Sequence, residues 1–376
     1  MIPLCEPNLD GHELAYLTQC VQTNFVSSVG AFVGQFEQNF AAFLGVPHAV
    51  AVSNGTAAIH LALVLLGIGP GDEVWVSDFT FAASINPILY LRARPVLVDS
   101  ELETWNLDPK LVVAELKRRD RLGLPQPKAI LAVHIVGSPL QLHEIAQVCW
   151  QFHVPLVEDA AEALGARYTT GPLAGRQVGS IGDIGCFSFN GNKIMTTGGG
   201  GMLVTADAQL AARAKHLSTQ AKEPGYAYFH DEIGYNYRLT NVAAALGVAQ
   251  LERMDHFLEA KRAIAKRYDT AFADLAGVRL PPRPADTAPT FWLYSLLFAD
   301  GWLGPLQWLE ARGIQSRPLW TALHRMPPYR DCARLGSGLV AEELCDQGLS
   351  LPCSVHLTLA QQDEVIAAVR QYVLKS

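Results

Sequence analysis

Between two strand-like runs, the segment Cys186-Phe187-Ser188-Phe189-Asn190-Gly191-Asn192-Lys193 places one primary amine on a turn, and four glycines, Gly198 to Gly201, precede the run Met202 to Thr205. A lysine held on a short, partly apolar turn is disfavoured as its ammonium and can act as a Schiff-base former. In isolation such a lysine is more often a solvated loop residue, and the glycines a flexible turn. Its companions along the chain weigh against that reading.

Ser53-Asn54-Gly55-Thr56-Ala57-Ala58 lies between an apolar run and a helical pattern. A helix start presents free N–H groups and a partial positive charge, so Gly55, Thr56 and Ala57 could hold a phosphate, although ordinary capping explains the same residues. Glu158-Asp159-Ala160-Ala161-Glu162 closes the apolar run Val154 to Val157. A carboxylate there, Asp159 by preference, could accept a hydrogen bond from a protonated pyridine nitrogen; its alternative is a helix cap. Ser188 could meet the phosphate from the other side, and Phe81 could lie flat on an aromatic ring, where a core role is the commoner one. A phosphate cradle, a carboxylate for a ring nitrogen, a stacking aromatic and an amine are together what pyridoxal phosphate requires.

Strands alternating with helices must position these groups. Apolar runs at Ala49 to Val52, Asp72 to Val76, Pro95 to Val98, Ala129 to Ile135 and Val154 to Val157 alternate with helical patterns at Thr56 to Leu66, Ala82 to Leu91, Leu111 to Arg119 and Leu142 to Phe152. That alternation predicts an α/β fold with a mainly parallel sheet covered on both faces and ligands beyond the carboxyl ends of its strands. A helical entry segment precedes it, from Leu14 to Phe43 with a turn at Ser27 to Gly30. A long helix from Val242 to about Leu275 is expected to bridge to a smaller C-terminal α/β domain, dividing the chain into residues 1–250 and 251–376. Thr358 and Gln361 have the spacing of a capping box for the last helix.

With 376 residues, 49% hydrophobic and 17% charged, the chain can bury a large core in about two domains. A net charge of −7, without a basic run, argues against nucleic acid. No apolar run is long enough to span a bilayer and the first ten residues do not resemble a signal peptide, so a soluble, cytoplasmic protein is expected. Seven scattered cysteines and eleven histidines without ligand spacing suggest neither disulfides nor a metal site.

Taken in order, these segments resemble the DegT-type nucleotide-sugar aminotransferases, a branch of the fold-type I pyridoxal-phosphate enzymes. Gly69-Pro70-Gly71-Asp72-Glu73-Val74, Gly234-Tyr235-Asn236-Tyr237-Arg238-Leu239-Thr240 and Arg317-Pro318-Leu319-Trp320 with His324 extend the likeness to nearly the whole chain. The resemblance implies that Lys193 bonds the cofactor as a Schiff base and Asp159 its pyridine nitrogen, that Phe81 stacks on the ring, and that Thr56, Ala57 and Ser188 hold the phosphate. It also implies a homodimer with shared active sites, in which Asn236 reaches the neighbouring subunit's cofactor. Glu162 stands where many members have Gln or His, which leaves its contact with the cofactor open. Arg238, Arg317 and His324 are the candidates for the substrate's diphosphate or nucleotide. By resemblance the substrates are L-glutamate and UDP-4-keto-6-deoxy-N-acetylglucosamine or a close relative, the product serving surface glycan synthesis. The alternatives are another keto sugar nucleotide (3-keto, or GDP- or dTDP-linked) and a cofactor-binding regulatory protein without turnover. Sugar-dehydrating members carry His at the lysine's position, and no mobile catalytic cysteine of a desulfurase is evident.

Overall fold

The computed structural model describes residues 1–375. The chain begins with α1 (Glu13–Gln22), α2 (Ala31–Leu44), β1 (His48–Val52) and α3 (Gly55–Leu65). Strand and helix then alternate through β2 (Glu73–Ser77), α4 (Ala82–Tyr90), β3 (Arg94–Val98), α5 (Pro109–Arg121), β4 (Ala129–Val133), α6 (Leu142–Phe152) and β5 (Leu156–Asp159). After these come β6 (Arg167–Tyr168), β7 (Ile184–Ser188), β8 (Gly201–Thr205), α7 (Ala208–Ser218), α8 (Asn241–Leu251) and α9 (Met254–Phe272). The C-terminal part holds β9 (Val278–Arg279), β10 (Thr287–Ala288), β11 (Tyr294–Phe298), α10 (Leu303–Glu310) and β12 (Arg317–Pro318). It ends with β13 (Ala333–Leu335), α11 (Leu339–Gln347), β14 (Gly348–Leu351) and α12 (Leu359–Val373).

Eight strands form the main sheet in the order β1-β8-β7-β5-β4-β2-β3-β13, and only β8 runs antiparallel to its neighbours. Its strands read as nearly unbroken apolar runs because both faces are covered. Trp75, Ile130 and Phe187 point into one apolar cluster, with α2, α5 and α6 against it; Val74, Val76, Leu131 and Cys186 point into the other, with α3 and α4. The two-residue period of a strand therefore divides neighbouring residues between two cores. A four-stranded sheet, β12-β14-β11-β9, carries the third cluster with α12 and the second half of α9.

The helix expected from Val242 to Leu275 is two helices. Arg253, at φ −110° and ψ 8°, leaves helical geometry between α8 and α9. The carboxylate of Glu252 is held there by Tyr16 Oη and His12 Nδ1, both at 2.8 Å, which fixes the bend against α1. The break lets α9 change cores: Met254, Phe257 and Leu258 pack with the main sheet, whereas Ile264, Tyr268 and Phe272 pack with the small one. The division at 250/251 is also crossed by Ile2, which pairs with the backbone at Gly313 and Gln315, and by β13, which pairs with β3. At the last helix the expected capping box is formed by Thr358 and Gln361. No helix among the described residues is long and apolar enough to cross a membrane.

Candidate active site

The carboxyl ends of β1, β4, β5 and β7 open on one cavity of about 500 Å³, closed from the other side by Trp292, Arg317 and Trp320 of the C-terminal part. Thr56, Phe81, Asp159, Glu162, Ser188 and Lys193, six of the residues singled out above, line it.

Lys193 hangs from the turn after β7, its Nζ 3.4 Å from Glu162 Oε1 and 3.7 Å above the ring of Trp292. Both neighbours attract a cation. The other oxygen of Glu162 accepts the N–H of Val136 at 2.9 Å. Val136 stands at φ 45°, a left-handed conformation that a β-branched residue adopts only at a cost of about 1–3 kcal/mol. Glu162 thus pins a strained backbone and meets the amine at the same time. Burial pushes its carboxyl up, and the Lys193 charge opposes that shift.

Period-two alternation also separates the adjacent carboxylates of β5. Glu158 points away from the cavity and accepts the N–H groups of Gly179, Ile181 and Gly182 at 2.6–2.7 Å, with His134 Nε2 at 3.1 Å. Burial opposes its ionisation, but these donors hold its pKa below the usual range. Asp159 points into the cavity, 4% exposed, and accepts Ser84 Oγ at 2.7 Å and the Ala161 N–H at 3.1 Å. Burial raises its pKa, against the Ser84 and Ala161 bonds and the Lys193 charge. A cationic ring N–H placed beside it would complete its hydrogen bonding.

The phosphate cradle differs in one member from the expectation. Asn54 caps α3 by accepting the Ala57 N–H at 2.7 Å, so that donor is already engaged. The N–H groups of Gly55 and Thr56 have no protein acceptor among the described residues. A Cβ on Gly55 would stand 2.8 Å from Ser188 Cβ, so the glycine lets the helix start and the end of β7 approach each other. The glycine run serves a related purpose. Gly199 and Gly200 line the cavity, but a Cβ on Gly201 would lie 2.5 Å from the Asn54 carbonyl. Gly201→Ala is therefore expected to displace β8 from the cradle and weaken pyridoxal-phosphate affinity by roughly tenfold or more, since overpacking costs about 1–3 kcal/mol. Titration of the apoprotein by tryptophan fluorescence measures this, and an unchanged affinity would count against the cradle.

Phe81, 56% exposed at the start of α4, offers a free ring face. With Asp159, Lys193, the two free N–H groups and Ser188, the residues present fit pyridoxal phosphate. Arg317 lines the cavity, whereas Ala57, Arg238, Asn236 and His324 lie off it. Arg238 Nη2 donates to Gln220 Oε1 at 3.0 Å, and Asn236 is exposed beside Thr219. His324 requires correction as a diphosphate ligand: Nδ1 meets Asp78 Oδ2 at 2.5 Å and Nε2 meets Glu342 Oε1 at 2.9 Å. Both ring nitrogens are engaged, and the residue ties the C-terminal part to the end of β2.

Sequence reasoning missed Ser84 and Trp292. Ser84, in the first turn of the apolar helix α4, also bonds Thr80 Oγ1 at 2.9 Å and so orients Asp159. A lone serine on that helix was the available signal. Trp292 gave none.

Comparison with known proteins follows the same lines. The model of the DegT/DnrJ/EryC1/StrS aminotransferase family matches residues 7–370. EpsN of Bacillus subtilis (strain 168) is 42% identical over 97% of this chain and 94% of its own length. GDP-perosamine synthase of Caulobacter vibrioides is also 42% identical, over 99% of this chain and 98% of its own length. Among solved structures, the aminotransferase TlmJ from Streptoalloteichus hindustanus superposes with a TM-score of 0.90, 31% identity and coverage of 100% of this chain and 99% of its own. DesV of S. venezuelae, solved with a ketimine intermediate, gives 0.87 at 33% identity, covering 96% and 94%.

Proposed function

The chain belongs to the DegT/DnrJ/EryC1/StrS aminotransferase family, and we propose that this pyridoxal-phosphate-dependent sugar aminotransferase converts a nucleotide-linked 4-keto-6-deoxy sugar to the 4-amino sugar with L-glutamate as donor. The observation that carries the reading is the meeting of Lys193 and Asp159 in one cavity with Arg317 also on its wall.

Bound there, pyridoxal phosphate supplies an aldehyde carbon for exchange of amino groups and a ring that withdraws electrons from it. Lys193 would hold the group covalently, and Asp159 would keep its ring nitrogen protonated. The N–H groups of Gly55 and Thr56, with the hydroxyls of Thr56 and Ser188, would take its phosphate. Phe81 would cover the ring. The Lys193 amine would also be the base that removes a proton from the α-carbon of glutamate, and later the acid that delivers one to the sugar carbon. Glu162, at 3.4 Å, keeps the freed amine near its working position. Arg317 is the other cation among the described residues lining the cavity and the candidate for the diphosphate.

We assign Asn236 and Arg238 to the cavity of a second copy. Their exposure supports this, as do Tyr226, Tyr228, Phe229 and Ile233, large apolar side chains left open on the segment that leads to them. Such a patch calls for a partner.

For the nucleotide, the family resemblance favours a UDP-linked N-acetylglucosamine derivative. The names of relatives favour a second reading: GDP-perosamine synthases of Caulobacter vibrioides, Vibrio cholerae and Escherichia coli O157:H7 at 37–42% identity, and a dTDP-4-dehydro sugar 4-aminotransferase of Saccharopolyspora spinosa at 32%. UDP-, GDP- and dTDP-linked 4-keto-6-deoxy sugars supplied with glutamate distinguish them, read out as 2-oxoglutarate and as the mass of the amino sugar. The expected result is amination at C4 with the highest kcat/KM on one nucleotide. Amination of none of them removes the substrate class.

A further inference from the structure

Behind the Lys193 turn lies a second cluster of nucleophiles that transamination does not use. Lys261, on α9, is 2% exposed, and its ammonium donates to Trp292 O at 2.9 Å, Cys5 Sγ at 3.4 Å and Cys353 Sγ at 3.5 Å. Among the described residues no carboxylate pairs with it. A buried ammonium needs an anion. Of its three acceptors, only the two sulfurs can become one.

The sulfurs come from opposite ends of the chain, Cys5 from the N-terminal segment and Cys353 from just beyond β14. One ammonium gathers both, at 3.4 and 3.5 Å, and Cys353 Sγ donates to Trp292 O at 3.3 Å. The Cys353 thiol, with Lys261 and against the effect of burial, lowers Cys5 to about 6. Cys353 is pushed well above the usual thiol range, first by the neighbouring Cys5 and then by burial. One sulfur is thus poised as a thiolate at neutral pH while its neighbour keeps a proton, the pairing that thiol oxidation uses. Cys5 is half-buried, while Cys353 is 1% exposed, so a small oxidant reaches Cys5 first. The pair also abuts the active site: Cys5 Sγ lies 3.4 Å from Asn192 O, next in sequence to Lys193, and Asn192 O accepts Trp292 Nε1 at 2.5 Å.

We propose that Cys5 and Cys353 form an oxidative modification site at which hydrogen peroxide converts the two thiols into a disulfide, with Lys261 as the fixed counter-charge. The Cys5 thiolate attacks a peroxide oxygen, the O–O bond breaks, and hydroxide leaves to take a proton from solvent. Cys5 is then a sulfenic acid. The Cys353 sulfur attacks it, the S–O bond breaks, the S–S bond forms, and the hydroxyl departs as water with the Cys353 proton. Two electrons pass from the thiol pair to one peroxide, and two waters result.

The test uses the full-length holoenzyme and hydrogen peroxide. Peptide mass mapping is expected to find Cys5 joined to Cys353 with the loss of two hydrogens, reversed by dithiothreitol. On non-reducing denaturing gels the oxidised chain migrates faster, because a bond from residue 5 to residue 353 closes nearly the whole chain into a loop. Cys353→Ser is expected to stop the reaction at a Cys5 sulfenic acid that dimedone captures, and Cys5→Ser to leave Cys353 unoxidised. Wild type supplies a test independent of both variants: iodoacetamide labelling of Cys5 levels off above about pH 7, whereas labelling of Cys332, the other partly exposed thiol, which burial pushes up, keeps accelerating as the pH rises further. Oxidation that favours Cys332, or Cys5 labelling that follows the profile of an ordinary thiol, overturns the proposal.

Discussion

Lys193→Ala is expected to lower turnover by on the order of 10⁴-fold or more, the scale seen when a covalent nucleophile that is also the proton-transfer base is removed. The loss should fall on kcat rather than on cofactor affinity alone, because Gly55, Thr56, Ser188, Phe81 and Asp159 remain in place. The variant should still take up pyridoxal phosphate, measured by absorbance after desalting, but without the visible band of lysine-bound cofactor. Single-turnover mixing with glutamate then isolates the proton-transfer defect. No other amine lines the cavity among the described residues, so a neighbouring group cannot take over. Appreciable transamination by Lys193→Ala would contradict the assignment outright.

The same variant tests the shared site. Asn236→Asp puts a negative charge where a neighbouring copy's phosphate is proposed to sit and should itself be impaired. Mixing it with Lys193→Ala at equal amounts, after unfolding and reassembly, should restore about a quarter of wild-type turnover: half of randomly assembled dimers are mixed, and one site of each is intact. A chain whose sites are self-contained recovers nothing.

Lys193, Ser188 and Asp159 were legible in the sequence because each sits where a strand ends, and the carboxyl ends of parallel strands converge on one face of the sheet. Period two then sends Asp159 into the cavity and Glu158 into the backbone donors of residues 179–182. Other features depended on distant approach. Trp292 lies 99 residues from Lys193, and nothing in its surroundings marks it for the underside of that amine. His324 looked like a free donor because Asp78 and Glu342, which occupy its two nitrogens, come from separate elements. The bend at Arg253 was invisible to apolar periodicity, since α9 stays amphipathic while its two halves face different cores. The glycines after Lys193 stood out by composition, but only the fold shows that the Asn54 carbonyl is what Gly201 clears.

Asp159→Asn separates the catalytic role of the carboxylate from its structural one. The amide can keep both existing partners: its oxygen accepts the Ala161 N–H, and its nitrogen donates to Ser84 Oγ, which can turn its own proton towards Thr80. What it cannot supply is a negative charge beside the ring nitrogen. Removing that one electrostatic contribution in a dry site should cost on the order of 10²–10³-fold in kcat/KM. Stability should move the other way. Burial raises the folded-state pKa of Asp159, so the folded apoprotein holds a proton that the unfolded chain has already released. Between the unfolded and folded pKa values the wild-type apoprotein therefore loses stability as pH rises, and above the folded value that loss is complete. Asn carries no such penalty. The melting temperature of apo Asp159→Asn relative to apo wild type should accordingly increase from pH 4 to pH 8. A variant equally stable and nearly inactive would support the ring-nitrogen role without the desolvation argument, and one that turns over at the wild-type rate would remove Asp159 from catalysis.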